Sequence, residues 1–298
     1  MPIRNDKQST QTLAEFCAIA DWWNDASKDD DTYSVISHRN RIVQDFAFQC
    51  DPNSSALDVG CGSGQLVIKL AEMGLTSHGI DVSPEMISHC GKNLKVSGTN
   101  ATFYLDSFFN HNFDSNLYSL ISALGFIEYI SQIEFQEFLS KVSRLLEPNG
   151  KLVIGSRNRL FNIVGMNQFT DIELELGNIE NLVGQSIICQ TSTSQDSAIS
   201  SLASLASIEV QPQTHPNTGI QVDTRYQYSP AELCMRLTNA GLNPKALIPV
   251  NYHGIPTSLI ETYRSEYESL ALNMSRSKTY DQRLLPYCSS FLVAAEKT

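Results

Sequence analysis

The stretch "ALDVGCGSGQL" (residues 56–66) constrains this chain more than any other. An apolar run enters three glycines in five positions, Gly60, Gly62 and Gly64, and a helix-like pattern resumes directly after them. Glycine packs nothing and costs backbone entropy, so glycines clustered at a strand end mark a chain that turns sharply or lies against a ligand. A strand, a glycine turn and a helix together point backbone N–H groups and a helix N-terminus at that ligand.

The surrounding periodicity fits such a unit. "SALDV" reads as a buried strand, "GQLVIKLAEMG" as a short helix, and "SHGI" as a second strand. Ser83 then caps a helix that opens on Pro84 and closes at Gly98, the usual proline-first, glycine-last asymmetry. Strands at 101–105, 117–124 and 151–156, and a helix at 132–146, continue the alternation. It implies βαβ units and a parallel sheet covered on both faces. A helix over 229–242 and strands over 246–250 and 286–297 complete the pattern. Residues 1–50 read as a helical cap, broken by the polar "NDASKDDDTYS" and its solvated Asp29–Asp31 run. The interval 157–228 fits the alternation poorly; its Ser/Thr-rich run interleaves Ile, Leu and Ala and is expected to be partly helical. An insertion at the carboxyl edge of a sheet lies over the ligand crevice, so 157–228 is expected to form a lid that shapes the substrate pocket. Residues 51–156 and 229–298 then make the cofactor-binding domain.

A glycine turn alone equally suits a nicotinamide dinucleotide. Three details favour a different ligand. Gln65 stands where the sixth position of GxGxxG carries glycine. Asp58 precedes the turn, and a carboxylate there suits a cationic amino-acid group better than a pyrophosphate. Asp106 follows the third strand within reach of an adenine, beside Asp81, which stands 21 positions after Gly60 and can take the ribose hydroxyls of either ligand. A ribose, an adenine, an ammonium and no phosphate describe S-adenosylmethionine.

With these residues the chain resembles the class I S-adenosylmethionine-dependent methyltransferases. "LDVGCGSG" is similar to their first motif, "GIDVSPEMI" to the acidic end of their second strand, and "SALGFIEYIS" to their fourth-strand segment. "LLEPNGKLVIGSRNRL" is similar to their fifth-strand motif. "IADWWN…TYSVISHRNRIVQDF" resembles the ubiquinone-biosynthesis O-methyltransferases, and "RNRLFN" and "VNYHGIP" resemble small-molecule methyltransferases of polysaccharide assembly. The resemblance implies a Rossmann-like α/β fold: a seven-stranded sheet with helices on both faces, N-terminal helices and a lid inserted after the fifth strand. It also implies that Gly60, Gly62 and Gly64 shape the methionine-side turn, that Asp58 orients the ammonium and that Asp81 binds the ribose. Asp106 and Ser107 would hold the adenine, Met86 would pack on its face, Arg41 would pair with the cofactor carboxylate, and Trp23 would close over the cofactor. Cys61, Val82, Phe108, Leu124 and Tyr129 would complete the site. Tyr129 stands where the family usually has histidine.

The remaining composition narrows the reaction. Net charge is −11 with no Lys/Arg cluster, which argues against a nucleic-acid substrate. No apolar run is long enough to span a bilayer, and "MPIRNDKQSTQ" lacks a signal peptide's apolar core. Seven scattered cysteines without a CxxC pair fit a reducing cytoplasm, and no metal-ligand spacing is recognisable. The expected acceptor is a small molecule, free or glycan- or lipid-linked. If it is a hydroxyl, a base must take its proton. His253 is the first candidate and His215, on the expected lid, the second; Glu128 is expected to orient the acceptor. An N-methyltransferase, an NAD-dependent oxidoreductase and a non-catalytic cofactor-binding regulator remain as alternatives.

Overall fold

The computed structural model describes residues 6–27, 33–113, 117–205, 212–213, 225–277 and 279–298. Its centre is a seven-stranded sheet. The strands are β1 (Ser55–Val59), β2 (Thr76–Asp81), β3 (Thr102–Leu105), β4 (Tyr118–Ala123), β5 (Leu146–Arg157), β6 (Leu242–Tyr252) and β7 (Cys288–Lys297). Their order across the sheet is β3-β2-β1-β4-β5-β7-β6. This is the mixed sheet of the class I methyltransferase fold.

β1 to β5 run parallel, with Ala56 opposite both Ser77 and Leu120. β7 runs antiparallel to both neighbours, Val293 lying opposite Ile154 and Leu247. The alternation of elements predicted a parallel sheet and missed this reversal. The link from β6 to β7 leaves and returns at one edge, where the His253 N–H donates to the Tyr287 carbonyl at 2.9 Å. A connection that never crosses the sheet must reverse the strand. Pro244 and Pro249 are tolerated in β6 because it is the edge strand.

The strands are buried on both faces. Leu57, Val59, Ile121 and Ile154 pack with Phe135, Phe138 and Val142 of α6 (Gln132–Leu145). Leu233 and Leu237 of α11 (Pro230–Asn239) join the same cluster. Ala56, Leu120, Val153 and Val250 pack on the other face, against Ile42 and Val43 of α3 (Val35–Ala47) and Leu66 and Leu70 of α4 (Gln65–Glu72). Two further helices, α1 (Asp6–Ala18) and α2 (Ala20–Ala26), precede α3 and meet α5 (Pro84–Ser97). Ser83 and Ser131 cap α5 and α6 through their hydroxyls.

The inserted region departs from its expected place. It forms α7 (Arg159–Gly165), α8 (Gln168–Glu175), α9 (Ile179–Thr191) and α10 (Gln195–Ala203), the last within the Ser/Thr-rich run and capped by Ser194. These helices do not hang over the glycine turn. Leu160, Leu182, Cys189 and Leu202 join the core around α11 and β6, because each helix carries an apolar stripe that only that half of the sheet can bury. Among the described residues of the insertion, Arg225 and Tyr226 reach the segment at Glu128 and Tyr129 beside the cleft.

A buried ion pair ties α7 to α8. Arg159 Nε donates to Glu173 Oε1 at 2.8 Å and Nη2 to Oε2 at 2.5 Å, with both side chains almost wholly inaccessible. Asn162 and Asn178 donate to the same carboxylate. Removing one partner strands the other charge, so Glu173→Ala is expected to destabilise the protein by about 3–5 kcal/mol. Urea unfolding read as a shifted midpoint checks this; an unchanged midpoint would show that the pair is dispensable.

Candidate functional site

The glycine turn closes on itself before it meets any ligand. The Gly60 and Cys61 N–H groups donate to the Ile80 carbonyl at 2.9 and 3.1 Å. The Gly62 N–H donates to Asp81 Oδ2, and the Ser83 N–H to Oδ1, each at 2.9 Å. Asp81 therefore fastens the turn to the end of β2. Burial raises its pKa, and these backbone donors pull it back down.

Gly62 and Gly64 adopt left-handed backbone, φ +53° and +79°. A Cβ on Gly62 would stand 3.1 Å from Trp23 Nε1, so the indole lies directly on the turn. A Cβ on Gly64 would meet the Phe103 ring at 2.8 Å and Cys90 Sγ at 2.9 Å. Gly64 thus serves the packing of α4 against β3, behind the turn. It does not line the cleft, which corrects its expected place beside the cofactor.

In front of the turn lies a cavity of about 430 Å³, within the range of ordinary ligand pockets, roughly 300–1,000 Å³. Its lining includes Trp23, Asp58, Gly60, Cys61, Gly62, Asp81, Val82, Met86, Asp106, Ser107, Phe108, Leu124 and Tyr129. Each was singled out in the sequence, and the fold brings them together from α2, the ends of β1 to β4 and the following loops. Asp106 accepts the Ser107 N–H at 2.7 Å and faces His111 Nδ1 at 3.0 Å. Tyr129 packs with Phe16 and Trp23, its ring 5.1 Å from that of Phe16 and edge-on to it. The lining residues that the sequence did not flag include Leu13 and Phe16 of α1 and Ile36, Arg39 and Asn40 of α3.

Three expected residues lie elsewhere. Arg41 is absent from this lining and opens into a different cavity. Arg39, two positions earlier on α3, takes the place beside the turn. Its Nη1 donates to the Leu124 carbonyl at 3.0 Å and its Nη2 to Ser290 Oγ at 2.9 Å. A spacing motif in sequence cannot resolve which of two arginines on one helix faces inward.

Glu128 does not face an acceptor. Arg225 Nε and Nη2 hold its Oε2 at 2.7 and 2.5 Å, and the Arg157 N–H donates to Oε1 at 2.9 Å. Burial raises its pKa, but Arg225, Arg157 and Arg39 outweigh that and hold the carboxyl below its ordinary value. The Tyr226 N–H also donates to the Glu128 carbonyl at 2.8 Å. Glu128 thus clasps the end of the inserted region to the cleft's rim, and the Arg225 guanidinium lies over the Tyr129 ring at 4.9 Å.

His253 is likewise set apart from the cleft. Its Nε2 meets Ser289 Oγ at 2.9 Å, and its ring lies between Phe161 and Tyr267 at 4.5 and 5.4 Å. Burial first and Arg157 second push its pKa down to about 4. It stays neutral at physiological pH but is too weakly basic to suit the role expected of it. His215 lies outside the described residues, as does the Asp29–Asp31 run. Among the described residues no group of three or more His, Cys, Asp or Glu could hold a metal, and no helix is long and apolar enough to cross a membrane.

Comparison with known proteins agrees with this geometry. The family model "Methyltransferase domain" matches residues 56–150, the segment that carries the turn and the ends of β1 to β4. Residues 56–150 thus carry a methyltransferase domain, similar to that of the class I S-adenosylmethionine-dependent methyltransferases. A ubiquinone biosynthesis O-methyltransferase of Coxiella burnetii is 26% identical over 172 residues, 55% of this chain and 71% of that one. A second, of Rhizobium leguminosarum, is 25% identical over 150 residues, 47% of this chain and 59% of that one. Among solved structures, the magnesium protoporphyrin IX methyltransferase of Synechocystis with bound S-adenosylhomocysteine superposes with TM-score 0.56 at 14% identity, over 98% of this chain and 100% of the other. The 1,6-didemethyltoxoflavin-N1-methyltransferase of Burkholderia thailandensis superposes with TM-score 0.57 at 12% identity, over 100% of this chain and 92% of the other. These two establish the fold.

Asp58 gives the site a pH signature. Its carboxylate accepts Ser122 Oγ–H at 2.6 Å. Burial, opposed by that bond and reinforced by Asp81, pushes its pKa up to about 7. A cationic ammonium beside it stabilises the ionised form. Below pH 7 the free protein carries the proton and must release it on binding; above pH 7 it does not. S-Adenosylhomocysteine affinity is therefore expected to rise with pH up to about 7 and then level off. Calorimetry in buffers of different ionisation enthalpy should record proton release at pH 6. No release there would remove Asp58 from the ammonium's site.

Proposed function

We propose that the protein transfers a methyl group from S-adenosylmethionine to a hydroxyl of a small molecule, free or carried on a glycan or lipid. The observation that carries this reading is the cleft itself, with Asp58 and Asp81 beside the turn and the Trp23 indole against Gly62, in a chain of net charge −11. Oxygen as the acceptor atom follows the ubiquinone biosynthesis O-methyltransferases, the relatives matched over about half of this chain.

The cleft fits the cofactor in its donor set and its shape. Asp58 orients the ammonium, Asp81 binds the ribose, and Asp106 with the Ser107 N–H holds the adenine, whose face lies on Met86. Arg39, and not Arg41, pairs with the cofactor carboxylate. The bound cofactor supplies an electrophilic methyl group. The chain's own residues then hold the acceptor in line with it and exclude water, so positioning carries much of the rate. Phe16, Trp23 and Tyr129 wall that side of the cleft with apolar surface. Glu128 positions the wall by fixing Arg225 over Tyr129.

Titration with S-adenosylhomocysteine tests the cofactor assignment. Micromolar binding is expected, with NADH failing to bind. Asp81→Ala is expected to weaken binding by about 1–3 kcal/mol through lost charge-assisted hydrogen bonds. Arg39→Gln is expected to cost about tenfold in affinity or more, whereas Arg41→Gln leaves it unchanged. Equal losses at both arginines would sink the assignment of the carboxylate to Arg39. Turnover with catechol-type and amine acceptors compared side by side separates oxygen from nitrogen methylation.

A further inference from the structure

A second cavity, of about 350 Å³, opens between α3, β6, α12 (Arg264–Ser275) and residues 276–288. It shares no lining residue with the cofactor cleft. The division follows from helix geometry. Ile36, Arg39 and Asn40 of α3 face the cofactor cleft, while His38, Arg41, Ile42 and Asp45 fall at i, i+3, i+4 and i+7 on the neighbouring face. One helix therefore forms a wall of both cavities.

Two guanidinium groups line the second cavity, Arg41 from α3 and Arg276 from just beyond α12. Among the described residues neither side chain has an ion-pair or hydrogen-bond partner. Asp45 lines the same cavity and is already engaged, accepting the Tyr280 hydroxyl at 2.9 Å. His38 also lines it, nine-tenths buried, with Nδ1 making no hydrogen bond. Burial, then the charges of Arg41 and Arg39, push the His38 pKa down to about 4, so the imidazole adds no charge of its own at neutral pH, and the cavity sets two guanidinium charges against the single Asp45 carboxylate. Ile42, Met274 and Leu284 add apolar lining. Low-dielectric walls concentrate the field of charges set into a concave surface. In a chain of net charge −11, two arginines without a partner among the described residues share one cavity with a buried imidazole whose Nδ1 makes no hydrogen bond, and their charge exceeds that of Asp45 by one, so an anion is stabilised there.

We infer that this cavity is a second binding site, taking a small anionic ligand through its carboxylate or phosphate groups. Arg41 and Arg276 supply the charge-assisted, fork-shaped donors that such groups accept, and His38 supplies a neutral imidazole beside them. The sulfonium and ammonium of the methyl donor make it a poorer match for two guanidinium groups than an anion without cationic groups.

The test uses the full chain with its cofactor cleft saturated by S-adenosylhomocysteine. Inorganic pyrophosphate and succinate are titrated separately at low salt, which distinguishes a phosphate from a carboxylate ligand. At least one probe is expected to bind with millimolar or better affinity. Arg41→Gln/Arg276→Gln is expected to weaken that binding by about tenfold or more and to leave S-adenosylhomocysteine affinity unchanged. Arg276 is exposed, so Arg276→Gln alone keeps the fold and is expected to weaken the probe several-fold. His38 ring signals in the wild type are expected to shift as the probe is added. Failure of both probes to bind, binding that survives in Arg276→Gln and in the double variant, or displacement of the probe by S-adenosylhomocysteine would each overturn the inference.

Discussion

Everything at the cofactor cleft depends on one carboxylate accepting two backbone N–H groups. Asp81 takes the Gly62 and Ser83 amides and so joins a turn that no side chain could stiffen to the start of α5. Without that carboxylate the Gly62 and Ser83 amides would be left unsatisfied at the edge of a buried sheet, at a cost comparable to a lost hydrogen bond each. The same residues that build the turn, Gly62 and Asp81, also line the cleft. Structure and binding are one set of interactions here, and Asp81 stands at their centre.

A second constraint operates on the other side of the cleft. Glu128 gathers the Arg225 side chain and the Arg157 and Tyr226 amides. The region between β5 and α11 thereby returns to the cleft at a single fixed point, although its helices lie elsewhere. Its value is mechanical: it sets the cation over Tyr129, and Tyr129 packs with Phe16 and Trp23 from the N-terminal helices. Three distant parts of the chain meet in that wall.

Much of this was legible in the sequence, and the reasons are specific. The strands β1 to β5 and the helices between them announced themselves through caps, glycine stops and apolar runs. The cleft residues at strand ends followed, because a parallel sheet gathers those ends along one edge. The reversal of β7 was not legible, since periodicity carries no direction. Arg39 was missed in favour of Arg41 because helix phase decides which faces inward, and the α3 segment offers two arginines a residue apart. His253 was misplaced for a related reason: its loop does reach the sheet's edge, but Ser289, Phe161 and Tyr267 hold the ring there. Of the inserted region only the helix in the Ser/Thr-rich run, α10, was legible, and not its destination, because an apolar stripe does not say which core it will join.

The reversed strand also sets an order of assembly. Residues 151–157 complete their pairing only with residues 290–296, which themselves pair with β6. Until those distant partners arrive, β5 presents an unpaired edge of apolar, β-prone residues, the kind of template that recruits other chains. Contacts this far apart in sequence form slowly, because the closure entropy of the intervening chain is lost before any pairing rewards it. The half-sheet bearing the glycine turn can therefore form first, while the insertion of β7 between β5 and β6 is the late, aggregation-exposed event on the way to the native fold.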